Sequence, residues 1–316
     1  MYNAHTGNIL SKNKSEVLEM KKFLKVTAFV MVFAMLACFA ACGKAPEKTP
    51  EKAPAGDEVK TPAVKVIDIA LTSEQYAFGV DKDQPELLEK TNAFIKKIMA
   101  DGTFDDICNK YFGDGEPTAV YSAKLDPAKD QLVVATNAEF APFEYKEGDA
   151  FYGIDMEIAA LLAKELGKEL VINDMQFDSV CLSVGEHTCD IAMAGLTINE
   201  ERTKSVTFTD SYYEASQKII VKGDDTTFDA CKDAAAVEAI LKGFDNKTII
   251  GYQNGTTGQY YVLGDADWGF DGFAVTGKGF VSGALATQDL LNGNVDLVVI
   301  DAAPAERIVE NFNAKA

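Results

Sequence analysis

Short runs rich in Val and Ile alternate with helical patterns along most of the chain, and this alternation limits the possible folds more than any other feature. The predicted strands are Val64–Ala70, Leu132–Ala135, Leu170–Asn173, Asp190–Ala194, Lys218–Val221, Thr248–Gly251, Phe273–Val275 and Leu297–Ile300. The predicted helices are residues 85–100, 104–111, 154–166, 177–184, 233–242, 257–263, 283–291 and 303–311. Continuous apolar strands between amphipathic helices are typical of parallel sheets covered on both faces. The pattern therefore predicts the α/β class.

Glycines mark several of the predicted boundaries. Gly167 follows the helix over 154–166 and is predicted to end it, because glycine adopts the left-handed conformation of a helix C-terminus without strain. The stretches 251–258 (GYQNGTTG) and 277–283 (GKGFVSG) are rich in glycine, but neither has the spacing of a phosphate-binding or dinucleotide-binding motif. Both are predicted to be tight turns between a strand and a helix.

Residues 1–42 have the character of an export leader whose true start is Met20. From there the chain reads MKKFLK, and an apolar run over 26–41 ends at Cys42. A basic start, a short apolar stretch and small residues before a cleavage point are typical of a secretory signal. The letters FAAC that end at Cys42 resemble a lipobox, so Cys42 is predicted to be lipid-modified; Cys38 is a weaker candidate, and an uncleaved anchor helix is the alternative. Each interpretation places the chain outside the cytoplasm, at the outer face of the cell membrane or in the periplasm.

The charge balance excludes some partners. Residues 43–63 are rich in Pro, Lys, Glu and Ala, which predicts a solvated tether before the folded part. The formal net charge is −19, and removal of residues 1–41, with their five lysines and two glutamates, lowers it to −22. So acidic a surface argues against binding of nucleic acid or of an anionic lipid face. The membrane is therefore expected to be reached through the lipid anchor only.

Few residues of the kinds that enzymes use follow the leader. His187 is the only histidine there, and the serine-hydrolase, zinc-protease and paired-cysteine motifs do not occur in the sequence. Cys181, His187 and Cys189 lack the fourth ligand and the paired spacing of a structural zinc site. We interpret Cys181 and Cys189 as core residues or as a local disulfide, since exported proteins retain disulfides; Cys108 and Cys231 have no assignment. No metal, cofactor or enzymatic activity is predicted.

Four stretches of the chain resemble one known family. LVVATNAEFAPFEYKEGDAFYGIDMEIAALLAKELGKEL (132–170) and DIAMAGLTINEERTKSVTFTDSYYEASQKIIV (190–221) resemble the first lobe of the polar amino-acid-binding proteins of ABC importers, which form bacterial solute-binding family 3. NKTIIGYQNGTTGQYYV (246–262) and LLNGNVDLVVIDAAPAERIV (290–309) resemble that family's second lobe. The resemblance implies a two-lobed type II periplasmic-binding-protein fold with two hinge crossings.

The order of the resembling segments differs from that of the family. The segment that resembles residues 70–113 comes last in the family, whereas in this chain it comes first. We therefore expect a circular permutation in which residues 114–130 join the family's usual termini; chain ends often lie close together at a surface, so such a rearrangement is tolerated. The expected lobes are 74–113 with 131–220 and 64–73 with 221–316, and the expected crossings lie near Gln75–Val80 and Lys218–Lys222. A swap of residues 64–113 between molecules is the alternative and needs an oligomer; we expect a monomer.

The resemblance also implies the residues that bind a ligand. A free α-amino acid carries a carboxylate and an ammonium, so a site that buries it needs a cation with amide donors and an anion. Arg202 is the implied carboxylate clamp, and Asp301 is the implied ammonium acceptor. The other implied ligand-binding residues are Asn137, Phe140, Phe177, Ala194, Gly195, Thr197 and Thr257.

Several of these assignments have an ordinary structural alternative. Arg202 is one of only two arginines, and its alternative is a solvated residue at a helix start. Asp301 follows an apolar run, where it is also positioned to cap the next helix. Phe140 and Phe177 are either flat walls for a ligand side chain or core residues.

The resemblance implies a lipid-anchored receptor that binds a polar amino acid and delivers it to the permease and ATPase of an ABC importer. Relatives that prefer basic ligands often carry Asp at the position of Asn137. The sequence does not place the carboxylates of Glu139 and Glu144, which would restore a negative charge there. The alternative function is an exported enzyme on the same scaffold, similar to cyclohexadienyl dehydratase; the amino-acid clamp and the lipobox argue against it.

Overall fold

The computed structural model describes residues 62–315. The predicted leader, the lipidation site at Cys42 with its alternative Cys38, and the predicted tether up to residue 61 lie outside the described residues. None of the helices within residues 62–315 combines the length and the hydrophobicity that a bilayer crossing requires.

The elements of the described part confirm the α/β class. The strands are β1 (Val64–Ile67), β2 (Glu74–Tyr76), β3 (Gly79–Asp81), β4 (Gln131–Thr136), β5 (Glu139–Phe140), β6 (Glu144–Glu147), β7 (Ala150–Tyr152), β8 (Glu169–Asp174), β9 (Ile191–Ala192), β10 (Val206–Phe208), β11 (Tyr213–Ala215), β12 (Gln217–Lys222), β13 (Ile249–Gln253), β14 (Thr276–Phe280) and β15 (Leu297–Asp301). The helices are α1 (Pro85–Ala100), α2 (Thr103–Phe112), α3 (Ile154–Leu166), α4 (Phe177–Gly185), α5 (Glu200–Thr203), α6 (Ala234–Leu241), α7 (Thr257–Leu263), α8 (Gly283–Leu291) and α9 (Ala302–Asn313).

Two five-stranded sheets organise these elements, and we call the parts built on them the first and the second lobe. The first-lobe sheet has the strand order β10-β3-β9-β4-β8, and the second-lobe sheet has the order β1-β12-β15-β13-β14. Helices α1 to α5 belong to the first lobe, and α6 to α9 pack on the second-lobe sheet. The predicted two-lobed fold is confirmed.

Both sheets are mixed rather than parallel, which corrects the prediction. In the first lobe β9, β4 and β8 are parallel, whereas β3 and β10 run antiparallel to their neighbours. In the second lobe β15, β13 and β14 are parallel, whereas β12 and β1 are antiparallel. Strands β3 and β12 follow directly on the connection between the lobes, without the crossover helix that a parallel arrangement requires.

A two-stranded ribbon of β2 and β11 forms this connection, with Tyr76 opposite Tyr213 and Glu74 opposite Ala215. The first crossing therefore lies at the start of the predicted Gln75–Val80 segment. The second crossing was predicted too late in the chain, because all of β12 pairs within the second-lobe sheet and its centre is buried. Residues 217–220 thus belong to the second lobe.

The strand predicted at Phe273–Val275 lies instead at β14, inside the glycine-rich stretch predicted as a turn. Strand β14 pairs with β13 along all five residues. Glycine makes this pairing possible, because a Cβ on Gly279 would lie 1.9 Å from Asn254 Oδ1 and one on Gly277 would lie 2.5 Å from Leu263 Cδ2. The glycines of this stretch therefore admit neighbouring side chains instead of turning the chain.

Two local features concern the ends of helices. Helix α3 ends as predicted at Gly167, which has φ 71° and donates its N–H to the carbonyls of the last turn. Helix α9 ends beside β1, where the Asn313 side chain accepts the N–H of Val64 at 3.2 Å and donates to its carbonyl at 2.9 Å. The permuted order itself stays a prediction.

Candidate functional site

Polar residues gather where the two sheets face each other beside the hinge ribbon. Asp301 ends β15, Gln253 ends β13 and Asn137 follows β4, so all three lie at the carboxyl ends of parallel strands. Ligands of open α/β sheets bind at this edge. The contacts between the lobes in this region involve many of the residues that the sequence predicts as ligand-binding.

Arg202 is buried, at 8% exposure, so the alternative of a solvated helix-start residue is wrong. Helix α5 begins after Asn199, whose side chain accepts the N–H of Arg202 at 2.8 Å. The Arg202 guanidinium donates from Nη1 to the Thr197 carbonyl at 2.8 Å and from Nη2 to the Gly255 carbonyl of the second lobe at 3.2 Å. Its carbon lies 5.2 Å from the centre of the Phe177 ring. The first lobe thus holds a guanidinium in a defined orientation at the second lobe.

Asp301 is buried and does not cap the helix that follows it, because its side chain makes no hydrogen bond to the start of α9. Its Oδ1 instead accepts the O–H of Tyr76, on the hinge ribbon, at 2.6 Å. Burial, and then the charge of Glu74, raise the pKa of Asp301 to about 7, while the hydrogen bond from Tyr76 acts in the opposite direction. A carboxyl with such a pKa loses its proton near neutral pH when a cation binds beside it, because the opposite charge favours the ionised form.

Glu74 connects the two halves of the site. Thr197 of the first lobe donates to Glu74 Oε2 at 2.7 Å, and Gln217 donates to Oε1 at 3.1 Å. Gln217 lies opposite Asp301 in the second-lobe sheet. Thr257 reaches from the second lobe to the Thr197 hydroxyl at 3.2 Å. Side-chain hydrogen bonds therefore lead from Thr197 of the first lobe through Glu74 to Gln217, the strand neighbour of Asp301 in the second lobe.

Asn137 makes a further bridge between the lobes. Its Nδ2 donates to the Met175 carbonyl at 2.8 Å, and its Oδ1 accepts the Nε2 of Gln253 at 3.0 Å. The bond to the carbonyl fixes which end of the Asn137 amide donates, so Gln253 must present its own N–H to Asn137. The Oε1 of Gln253 is buried and has no hydrogen-bond partner among residues 62–315.

The remaining predicted residues lie in the wall of the first lobe. Gly195 has φ 53°, donates its N–H to Asp155 at 2.9 Å, and would place a Cβ 3.0 Å from the Phe140 ring. Phe140, Phe177 and Ala194 are all buried within the apolar clusters of the first lobe. The core alternative therefore describes the packing of both phenylalanines, and Phe177 additionally contacts Arg202.

Glu139 and Glu144, the two glutamates that the sequence left unplaced, differ completely in their exposure to solvent. Glu139 is exposed, whereas Glu144 is fully buried and neither of its carboxylate oxygens has a hydrogen-bond partner among the described residues. Burial, followed by the charges of Asp155 and Asp301, raises the pKa of Glu144 well above its usual range. Burial also raises the pKa of Asp155 to about 7, although Gly195 and Tyr212 donate hydrogen bonds to it. The site thus rests on buried acidic groups that favour their neutral forms.

Among residues 62–315, the structure does not contain the disulfide that was one of the two alternatives for Cys181 and Cys189. Cys181 and Cys189 are free thiols, as are Cys108 and Cys231. Cys181 and Cys189 pack in the apolar cluster around α4, and burial raises the pKa of the Cys181 thiol. The core interpretation of both residues is therefore right.

His187 approaches two carboxylates. Its Nδ1 lies 2.8 Å from Asp81 Oδ2, and its Nε2 lies 3.6 Å from Asp83 Oδ2. One potential metal-ligand atom from each of these three side chains lies within 4.8 Å of the other two. Asp81 ends β3, Asp83 lies in the turn that follows it, and His187 follows α4; ion pairing accounts for this arrangement.

Sequence reasoning missed five residues of this region: Glu74, Tyr76, Gln217, Gln253 and Trp268. Glu74 and Tyr76 lie at the start of the first predicted crossing. Their position at a hinge between lobes is the sequence signal that could have identified them as site residues. Gln253 ends an apolar strand just as Asp301 does. Trp268 is the only tryptophan of the chain and lies 5.1 Å from the Arg202 guanidinium. No sequence signal distinguishes Gln217.

Comparisons with known proteins agree on one family. A model of the bacterial extracellular solute-binding proteins, family 3, matches residues 1–114 and 132–296. The chain is 40% identical over 99 residues to the arginine-binding extracellular protein ArtP of Bacillus subtilis (strain 168), which covers 31% of this chain and 39% of that protein. It is 31% identical over 177 residues to the ABC transporter arginine-binding protein 1 of Escherichia coli (strain K12), covering 56% of this chain and 65% of that protein.

The probable histidine-binding protein of Neisseria gonorrhoeae is 31% identical over 205 residues, which cover 64% of this chain and 69% of that protein. The matches therefore span about two fifths of the Bacillus protein and about two thirds of the other two. Among solved structures, an ancestral arginine-binding protein bound to arginine is 34% identical with a TM-score of 0.49, covering 58% of this chain and 75% of that chain.

Proposed function

Because the chain belongs to family 3 of the bacterial extracellular solute-binding proteins, we propose that it binds a free polar amino acid outside the cytoplasm and delivers it to an ABC importer. The names of its relatives support this class of ligand, since they include arginine-binding proteins and a probable histidine-binding protein. Membership of the family supports a role in uptake rather than catalysis.

One observation carries the proposal: a buried cation of the first lobe and a buried carboxyl of the second lobe are joined by polar side chains at the hinge. The Arg202 guanidinium has five N–H groups, of which two bond to carbonyl oxygens. The others are available to a carboxylate, which binds a guanidinium through two parallel hydrogen bonds. Asp301 and Glu74 together attract a cation. An amino-acid zwitterion has both complementary charges.

In the proposed complex the ligand carboxylate binds Arg202, Thr197 and Thr257, and the ligand ammonium binds Asp301. Charge-assisted hydrogen bonds contribute about 1.5–3 kcal/mol each, and several of them together support micromolar or tighter binding after ordering costs. Because these residues come from both lobes, the ligand binds most strongly to the closed arrangement and shifts the protein toward it.

We place the ligand side chain between Asn137, Phe140 and Gln253. The unpartnered Oε1 of Gln253 supports a side chain that donates hydrogen bonds, because a buried acceptor without a partner costs free energy. Arginine and histidine, the ligands named for relatives, both have such side chains.

Isothermal titration calorimetry of the purified protein against the twenty amino acids tests the function. We expect Arg202→Ala to weaken binding at least about 100-fold, since it removes a buried charge partner. Arg307→Ala is the matched control, because Arg307 is the other arginine and its guanidinium makes a surface pair with Glu310 at 3.2 Å. Binding that is unchanged in Arg202→Ala would exclude the carboxylate clamp, and mass spectrometry of the recovered ligand would reveal turnover by an enzyme.

We propose that the receptor is held at the outer face of the cell membrane through a lipid on Cys42. The lipobox-like letters before Cys42 support this anchor. Expression of the full chain and of Cys42→Ser in a bacterial host tests it: the anchored protein should fractionate with membranes and the variant with the soluble fraction. Equal fractionation of the two proteins would exclude Cys42 as the anchor site.

We also propose that the chain is a circularly permuted member of its family and a monomer. The proximity of Asn313 to Val64 supports the permutation, because a short connection there would join the two segments in the usual order. A variant with that connection and new ends within residues 114–130 should fold and bind the same ligand. Loss of folding in that variant, or a stable oligomer of the natural chain by light scattering, would argue for the segment-swapped alternative.

A further inference from the structure

Aromatic rings from both lobes meet at the same guanidinium. The guanidinium carbon of Arg202 lies 5.2 Å from the ring centre of Phe177 in the first lobe and 5.1 Å from that of Trp268 in the second lobe. Tyr260 then stacks on Trp268, with 4.3 Å between ring centres and an interplanar angle of 16°. We call these four residues the aromatic latch. It crosses between the lobes beside the proposed ligand carboxylate.

The loop that presents Trp268 has a defined shape. Asp265 Oδ1 accepts the N–H groups of Asp267 and Trp268 at 2.9 and 3.2 Å. The two ends of the loop pack closely at Gly264 and Gly272, where a Cβ on Gly272 would lie 2.4 Å from the Gly264 nitrogen. Trp268 therefore extends from a closed loop of the second lobe toward the first lobe.

Trp268 has little part in the core of its own lobe. It is half-buried, and neither Trp268 nor Tyr260 belongs to an apolar core cluster of the described residues. Large aromatic residues usually stabilise a protein by packing in such clusters. The aromatic contacts of Trp268 are instead with Tyr260 and with the Arg202 cation of the other lobe.

The contact between Trp268 and Arg202 is compatible with a guanidinium that also binds a ligand carboxylate. An aromatic face attracts a guanidinium electrostatically and uses none of its N–H donors. The carbonyls of Thr197 and Gly255 occupy two of those donors. The contact with Trp268 therefore limits the orientation of the Arg202 group while other N–H groups remain available to a carboxylate.

On the basis of the function proposed above, we propose that Trp268 is a positioning residue that holds Arg202 in its clamping orientation once the lobes have closed. Because Trp268 and Arg202 belong to different lobes, opening must separate them before the ligand leaves. The latch should thus slow the release of the amino acid. Its effect should be the same for every ligand bound, since it acts on the shared α-carboxylate.

Stopped-flow binding with the tightest amino acid from the calorimetric screen tests this role. We expect Trp268→Leu to raise the dissociation rate about 5- to 30-fold, the range that corresponds to a partly desolvated cation–π contact, with an association rate changed less than about twofold. Trp268→Phe should recover most of the effect. Phe273→Leu is the control, because Phe273 is an aromatic residue of the second lobe that packs on Tyr261, at 5.3 Å between ring centres.

Unchanged dissociation in Trp268→Leu, or equal acceleration in Trp268→Phe and Trp268→Leu, would overturn the latch and leave the proposed function intact. If the wild-type protein binds none of the twenty amino acids, the proposed function fails and the latch fails with it. A second measurement needs no variant, because Trp268 is the only tryptophan of the chain. Acrylamide quenching of its fluorescence should fall when the ligand binds; unchanged quenching would also overturn the proposal.

Discussion

The two lobes share one architecture but hold their charged groups differently. Each has a five-stranded sheet with three parallel strands and one antiparallel strand received from the hinge ribbon. The Arg202 guanidinium of the first lobe contacts the Thr197 carbonyl and the Phe177 ring of its own lobe and the Gly255 carbonyl of the second lobe. In the second lobe, Asp301 forms no ion pair with any of residues 62–315, and its side chain accepts a hydrogen bond from Tyr76 at 2.6 Å.

This difference follows from the chemistry of the two groups. A guanidinium stays charged in proteins, so it needs acceptors wherever it is buried, and here each lobe supplies one carbonyl. A buried carboxyl can become neutral instead, and burial raises the pKa of Asp301 to about 7. The Arg202 side chain is therefore charged before a ligand binds, whereas Asp301 becomes fully ionised only when a cation binds beside it.

Among the variants that test this difference between the lobes, we expect Asp301→Asn to change ligand affinity the most. The amide still accepts the Tyr76 hydrogen bond but cannot balance an ammonium, so we expect affinity for the amino acid to fall about 100-fold. The ligand-free protein should become more stable at pH 8, by about 5 °C in melting temperature, because a buried carboxylate is removed. Calorimetry and thermal unfolding measure the two effects.

Asp271→Asn is the control for this variant, since Asp271 is an exposed aspartate of the same lobe. It should change neither affinity nor melting temperature appreciably. A loss of both affinity and stability in Asp301→Asn would contradict the comparison, because it would mean that Asp301 is already well compensated in the ligand-free protein.

The pH dependence of binding is the next largest effect. Asp301 must lose its proton to accept the ammonium, so affinity should fall as pH falls through about 7. For one such group the loss is about tenfold between pH 8 and pH 6. Stability of the ligand-free protein should change in the opposite direction, since a carboxyl whose pKa is raised on folding favours the folded state at low pH. Calorimetry across this range checks the slope.

Tyr76, Glu74 and Gln217 surround Asp301, and Glu144 lies near enough to feel its charge. Asp155 also has its pKa raised to about 7, but its partners are Gly195 and Tyr212 of the first lobe. The slope should therefore flatten in Asp301→Asn. If the slope persists in that variant, the titrating group belongs to the first lobe.

Arg202 and Asp301 could be singled out from sequence because the family resemblance covers the segments that contain them. Arg202 is one of two arginines and lies in a long family motif, and Asp301 ends an apolar strand. Glu74 and Tyr76 could not be assigned in this way. Tyr76 meets Asp301 across 225 positions of the chain, and a strand pattern does not indicate which distant strand end faces it.

The errors in the predicted fold have the same origin. The apolar run over 218–221 indicates a strand, but only its partners β1 and β15 assign it to the second lobe. The glycines of β14 are typical of a turn, yet they lie in a strand because the Asn254 and Leu263 side chains occupy the space beside them. Local pattern therefore predicted the α/β class, whereas long-range contacts decided the boundary between the lobes.

The smallest expected effects compare one threonine from each lobe. The Thr197 hydroxyl donates to Glu74 and accepts from Thr257, whereas within the described part of the chain the Thr257 hydroxyl bonds to Thr197 alone. Thr197→Val leaves a buried Glu74 oxygen without its donor, so we expect affinity to fall about 10-fold, against about 3-fold for Thr257→Val. Calorimetry of the two variants at pH 8 measures the difference. A larger loss in Thr257→Val would mean that the second lobe contributes the more important hydroxyl, and the link from the first lobe through Glu74 to Asp301 would then be secondary.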